Sequence, residues 1–431
     1  MLNVYQIELR RSPLLIAFPV MVLVDLVVLF GRSQHWIGVW PEASVAAQIV
    51  TLFLGPVLAG VSAWQAGRAS RSGMPETLMG AARSGWRVEA VRLSATFTLG
   101  FLAYGVGCLT AAAVSWREAG SGFLWPSYLL LGVSTLLMFA SVGHLAGRFW
   151  PSPAFTPVVC ALGGFIVLLG TPYRFYVLSG PPDVRLSLSA LTARLLLAIA
   201  VTVLAVAAPS SLARAGLKDS PRRLLPRHTR PVMFGATACF LAALVGLPMA
   251  GELRVERSAS AGAMECARLK EGAPRVCVWA EHGQYLPELT QMADRLGSQS
   301  WGKTPDTFYE YGLRRQTFGD RGFDIAEGHV RTAAIAMAGH TFVTSVGRCV
   351  PPHRERRAWQ AMDNLHLWLE YQAMGQDPAT ADKGLHVVGV AEAQREASRM
   401  MRKSQIEQRA WLAKQTADLD KEEWCKPDAR D

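Results

Sequence analysis

Residues 14–30 read LLIAFPVMVLVDLVVLF, with Asp25 as the one charge. A helix crossing a hydrocarbon core needs roughly 20 apolar residues, and this stretch is longer than a typical signal-peptide core and lacks an A-x-A-like exit. It is therefore expected to stay in a bilayer. Working outward, six more apolar stretches follow at about 47–66, 93–116, 124–146, 155–172, 195–213 and 231–251. The expected fold is an α-helical polytopic membrane protein, six spans plus a seventh anchor span, with a helix-rich α+β extracytoplasmic domain. The expected domains are 1–213, holding six spans; 214–251, a basic cytoplasmic linker and the seventh span; and 252–431, outside.

Half of the 431 residues are hydrophobic and only 18% are charged, and the net charge of +10 is unevenly placed. Residues 1–250 hold 19 Lys/Arg against 8 Asp/Glu, whereas residues 251–431 hold 25 against 26. A nucleic-acid binder gathers its excess positive charge on a soluble face; here the soluble half is neutral, so no nucleic-acid partner is expected. With the N-terminus inside, Arg10, Arg11, Arg68, Arg71, Arg83, Arg87, Arg92, Arg148, Arg214, Lys218, Arg222, Arg223, Arg227 and Arg230 fall on inner segments. Only Arg32, Arg117, Arg174, Arg185 and Arg194 fall on short outer ones. That asymmetry orients the chain in a cell membrane with its N-terminus cytoplasmic, and seven crossings put the C-terminal domain outside. Trp36, Trp40, Trp116, Trp125 and Tyr173 fall at outer boundaries, and Trp64 and Trp150 at inner ones, as interfacial anchors would.

Cys266, Cys277, Cys349 and Cys425 all lie in the expected external half. An even set there suits disulfides. Of three connectivities, Cys266 with Cys277 and Cys349 with Cys425 is favoured, because the first closes a short loop and the second ties down the C-terminus; four free thiols are the other reading. Zinc is not expected, since there is no C-x-x-C pair.

Residues 67–92, GRASRSGMPETLMGAARSGWRVEAVR, are too polar to span. After a Gly/Ser turn they place apolar Leu78, Met79, Ala82, Trp86, Val88 and Val91 among Arg83, Arg87, Glu89 and Arg92. The pattern predicts a short amphipathic helix running into the third span, and anchoring to anionic lipid is its simplest role.

Taken with the basic N-terminal stretch NVYQIELRRSP and the first pair of spans, this loop resembles that of ABC (ATP-binding-cassette) exporter permeases of the second class, over roughly residues 1–215. The resemblance implies a permease domain at 1–213 acting as a homodimer or with a sister permease. It further implies that Gly73, Glu76, Leu78, Arg83, Trp86 and Arg87 form a coupling segment docking on a separate cytoplasmic ATPase subunit. It also implies a short re-entrant pair of helices between the fifth and sixth spans. The chain departs by lacking a Pro after its Glu-Leu segment and by adding a seventh span with an external domain. No G-x-x-x-x-G-K-[ST] occurs, so there is no cradle for ATP phosphates and no cofactor is expected in this chain.

Asp25 and His144 are the expected intramembrane polar residues. An ionisable group at that depth is costly enough to be a functional candidate by default.

In the external half, 276–279 reads as a strand, and 286–296, 354–375 and 391–424 read as helices. His340 is followed by Thr341, Phe342, Val343 and Thr344, so H-E-x-x-H is incomplete. With Trp368, Leu369 and Glu370 this fragment resembles a degenerate, inactive zinc aminopeptidase. No G-x-S-x-G elbow is present. No catalytic or metal-binding residue is expected, and substrate capture, gating or partner binding is the expected role. The alternative to an exporter is a membrane-anchored receptor or inactive peptidase-like protein whose external domain binds the ligand.

Overall fold

The computed structural model describes residues 2–71, 85–120, 122–171, 174–208, 229–259, 263–299, 301–314, 322–325, 329–349, 356–375, 391–419 and 425–426. The chain divides into two compact units: 1–180 with 184–255, and 181–183 with 256–431.

Unit 1 is helical: α1 (Leu2–Arg10), α2 (Pro13–Phe30), α3 (Trp40–Ile49), α4 (Thr51–Arg71), α5 (Gly85–Ser115), α6 (Pro126–Phe149), α7 (Phe155–Gly170), α8 (Leu188–Ala207) and α9 (Thr229–Met249). Five stretches are long and apolar enough to cross a membrane: Pro13–Phe30, Trp40–Arg68, Trp86–Ser115, Pro126–Phe149 and Leu188–Ala207. Phe155–Gly170 and Phe234–Met249 are apolar but shorter. The second span is central, 72% of its apolar window being buried against 22% for the first. Large apolar side chains such as Ile16, Val20, Phe155 and Ile166 remain exposed, an arrangement suited to lipid and costly in water.

Close approach in the centre depends on glycine. A Cβ on Gly143 or Gly147 of α6 would collide with the backbone carbonyls of Ala59 and Ala63 in α4. Small residues four apart on both helices bring the backbones together, as in membrane helix pairs generally.

The second span differs from expectation in beginning at Trp40 and breaking at Val50. Every residue of α3 is buried. The break is local in origin: the Thr51 hydroxyl donates to the Gln48 carbonyl at 2.8 Å, and such side-chain bonds compete with the helical ladder. The sixth span also begins earlier than expected. Ser187 caps α8 by accepting from the Ala190 N–H, which draws Arg194 into the helix, where it is 5% exposed. Its expected position in an outer loop is thus corrected. The expected re-entrant helical pair is absent among the described residues between α7 and α8; residues 174–183 contain no helix.

Unit 2 contains β1 (Met264–Ala267), β2 (Arg275–Trp279), β3 (Thr307–Tyr309), β4 (Arg348–Cys349) and β5 (Cys425–Lys426), with α10 (Leu286–Gly297), α11 (Val330–Val346), α12 (Arg356–Met374), α13 (Ala391–Met401) and α14 (Gln405–Leu419). In the three-stranded sheet, ordered β1-β2-β3, β1 is antiparallel to β2 and β3 parallel to it. Period-two geometry sorts the strand β2. Val276 and Val278 join the helical core with Leu289, Met337, Leu365 and Trp368, while Cys277 and Trp279 pack on the other face with Ala263 and Leu313.

Cys266 lies opposite Cys277 in the β1–β2 register, and the two form a disulfide. The β4–β5 register sets Cys349 opposite Cys425. The long helix expected over 391–424 is instead two. Ser404 and Glu407 form a reciprocal cap, Ser404 N–H donating to Glu407 Oε2 at 3.0 Å and Glu407 N–H to Ser404 Oγ at 3.4 Å; this S-x-x-E motif starts α14 afresh.

Candidate functional site

Helix directions put residues 8, 65, 89, 96 and 148 at one end of unit 1 and residues 42, 116, 125 and 175 at the other. A polar cluster occupies each end.

At the first end, α1 lies along α5: Tyr5 donates to the Thr98 hydroxyl at 2.8 Å, and Arg92 Nε is 3.6 Å from Glu8 Oε1. Arg92 also meets Glu89 at 3.2 Å. Glu89 reaches His144 of α6, Oε2 to Nε2, at 3.0 Å. Beside them, Gln65 of α4 donates to Ser12 Oγ at 2.8 Å and accepts from Thr96 at 2.7 Å. Arg148 donates to the carbonyls of Ala205 and Val206, placing a cation where the carbonyl-rich end of α8 favours one. Trp86 and Arg87, at the start of α5, are exposed, and the Arg87 guanidinium sits 5.4 Å from the Trp86 ring centroid. Gly73, Glu76, Leu78 and Arg83 lie outside the described residues.

At the other end a non-helical strap, residues 174–180, passes over the helices with Tyr176, Val177 and Gly180 buried. Backbone without a helical ladder is tolerated at such depth only if its polar groups find partners in the protein, and here side chains supply them. The Val177 N–H donates to Gln48 Oε1 at 2.9 Å, and the Gly180 N–H to Glu42 Oε1 at 3.0 Å. The Phe175 carbonyl accepts from Thr135 and the Leu178 carbonyl from Arg32, both at 2.9 Å. Arg194 donates to the Arg174 carbonyl. Val28, Trp36, Glu42, Val45 and Leu178 line a small recess beside the strap.

Asp25 lies between the two clusters. It is 0% exposed, and neither carboxyl oxygen finds a hydrogen-bond partner among the described residues. It rests on Gly107 of α5, where a Cβ would strike the carboxyl group. Asp25 and His144 are thus not brought together. Glu42 and Arg194 are buried and Glu89 and Arg148 half-buried, and none of the four is among the expected intramembrane polar residues. By sign alone Arg148 and Arg194 read as loop charges, and the polarity of 40–48, PEASVAAQ after Trp40, is the sequence signal for Glu42.

In unit 2, Trp279 organises a second polar centre. Its backbone N–H donates to Glu310 Oε2 at 2.8 Å, and Glu310 Oε1 is 2.6 Å from His282 Nδ1. Arg257 stacks over the Trp279 ring at 4.7 Å and pairs with Glu281 at 2.7 Å. Asp183, Arg257, Tyr311 and Arg314 help line an adjoining open cleft of about 620 Å³. In the aminopeptidase-like fragment, His340 packs edge-on against Phe308, and the Thr341 and Thr344 hydroxyls donate back to helix carbonyls. Glu370 pairs with Arg331 at 3.0 Å.

Residues 276–421 match a family described only as a domain of unknown function (DUF7224). The match begins within β2 and runs past the end of α14, so it covers most of unit 2 and none of the spans. No curated protein and no solved structure matches the chain. Among the described residues, no group of three or more His, Cys, Asp or Glu is placed to hold a metal ion.

Proposed function

We propose that unit 1 is the transmembrane permease of an ATP-binding-cassette exporter in a cell membrane, driven by a separate ATPase that docks on the loop preceding α5. The observation that supports this reading is the way the C-terminal flank of that loop enters the bundle. Arg92 and Glu89 join α5 to α1 and α6 through Glu8 and His144, and Gln65 joins α4 to α2 and α5. A displacement applied to the loop is thereby passed to α1, α2, α4, α5 and α6 together, as coupled rigid-body movement requires. In this reading α1 and the loop are cytoplasmic, unit 2 is outside, and a second copy or sister permease completes the pathway.

The test is capture of the tagged chain from its native membrane, combined with cargo efflux from Glu76→Ala and Arg83→Ala cells. The reading expects a nucleotide-binding subunit in the captured complex and reduced efflux from both variants. It fails if no such subunit is captured and both variants export normally. The polar clefts of unit 2 favour a second reading, in which the spans hold an external receptor domain; that second pair of results would support it.

A further inference from the structure

We propose that unit 2 carries an anion-binding cleft between the β1–β2 turn and the α10–β3 loop, selective for ligands with two or more phosphate or carboxylate groups. The cleft is open and about 480 Å³ in volume, within the range of small-molecule sites. Arg268, Arg275 and Lys303 line it together with one carboxylate, Asp306. All three cations are exposed, and none has an ion-pair partner among the described residues.

Other cations of this unit, whose charges are nearly balanced, are neutralised by a neighbouring carboxylate. Lys270, two residues from Arg268, lies 2.9 Å from Asp294, and Arg257, Arg331, Arg399 and Lys403 each pair with a glutamate. Three unpaired like charges around one concavity repel each other, and an anion with two charged ends relieves that repulsion more than a monovalent ion does.

The rims are built rather than loose. On one side the Ala273 N–H donates to the Lys270 carbonyl, Gly272 supplies a left-handed turn at φ 82°, and the Arg275 N–H donates to the Asp306 carbonyl at 2.9 Å. On the other, the Lys303 N–H donates to Ser345 Oγ at 2.8 Å, Thr304 donates to the Leu296 carbonyl at 3.0 Å, and Gln299 donates to Gln372 at 3.0 Å. The backbones carrying the cations are thus fixed before a ligand arrives, which lowers the ordering cost of binding. Phosphate or carboxylate pairs of this kind occur on free solutes and on anionic lipid headgroups alike.

The test is calorimetric titration of the full chain in neutral detergent micelles at low ionic strength, with inorganic pyrophosphate and citrate as probes. Saturable binding is expected, weakened about tenfold by Arg275→Gln and by Lys303→Gln, the scale of one charge-assisted hydrogen bond. Lys270→Gln, whose ammonium is already paired, should leave it unchanged. Competition from micelles doped with phosphatidylglycerol would assign the site to a headgroup, and its absence to a free solute. The proposal is overturned if neither probe binds saturably, or if the Arg275 and Lys303 variants bind as the parent does. The outcome is independent of whether an ATPase partner exists.

Discussion

His144 Nε2 lies 3.0 Å from Glu89 Oε2, while His144 Nδ1 has no hydrogen-bond partner among the described residues. The hydrogen that makes this contact attractive therefore belongs on Nε2. The contact joins two spans, and the side chains are 1% and 15% exposed. Removing one partner of such a buried pair strands the other, at a cost of about 3 kcal/mol. Glu89→Ala and His144→Ala should each lower the thermal midpoint in detergent, and the double variant should lose much less than the sum. Additive losses would show that the two residues are energetically independent.

Gly143 and Gly147 set how closely α6 approaches α4. Since a Cβ at either position meets a backbone carbonyl rather than a flexible side chain, the helices must separate to admit one. Overpacking of this kind costs roughly 1–3 kcal/mol. Gly143→Ala is expected to destabilise the protein, whereas Gly163→Ala on α7, with nothing within 4 Å of its Cβ, should not. Equal midpoints for the two variants would contradict the packing described.

Hydropathy made the apolar helices legible because a bilayer span needs only composition and length to reveal itself. Val276–Trp279 is legible because a β-branched and aromatic run follows Pro274, and 286–296 reads as a helix. Other features depend on contacts distant in sequence. Nothing local marks residues 174–180 as a non-helical strap with a buried centre, since their partners Glu42, Gln48, Thr135 and Arg32 lie elsewhere in the chain. Arg194 reads as a loop charge because it directly precedes the apolar run from Leu195, whereas the helix begins at Leu188. The break before α14 was different: Ser404 and Glu407 spell a capping box, and the charged helical pattern on both sides concealed it.

The strap between α7 and α8 makes a separate prediction. Val177 is fully buried and its N–H is met by the Gln48 side chain. Gln48→Leu would keep much of the volume and leave that donor bare, a loss of about 1–3 kcal/mol for an unsatisfied buried group. Hydrogen exchange of the Val177 amide in detergent is expected to accelerate in Gln48→Leu. Unchanged protection would mean that the strap is held by other means.

Unit 2 should respond to mild acid through α12. Burial pushes the His366 imidazole below its ordinary value of 6.5. As pH falls through that value, the unfolded chain takes up a proton that the folded one resists, so stability is complete above about 6.5 and declines below it. Burial also raises Asp363 above its ordinary 3.8. That effect has the opposite sign and acts in a more acid window, the folded state holding a proton the unfolded chain releases. Denaturation of the full chain followed by tryptophan fluorescence should show a falling midpoint between pH 7 and pH 5, flattened by His366→Gln. A parent profile flat over that interval would contradict the assignment.

Asp25 gives a prediction whose sign is unusual for a core substitution. Both of its oxygens are buried with no hydrogen-bond partner among the described residues, and an unsatisfied buried polar group costs about 1–3 kcal/mol, more if charged. Leucine has the same branching at Cγ and removes the two bare oxygens, so Asp25→Leu is expected to raise the thermal midpoint in detergent where most buried substitutions lower it. Functional sites retain such unfavourable groups when activity needs them. If unit 1 is the permease proposed above and the first span takes part in transport, the stabilised variant should export less cargo while still capturing an ATPase subunit. A lowered midpoint would show that the carboxyl group stabilises the fold through a contact the static geometry does not contain.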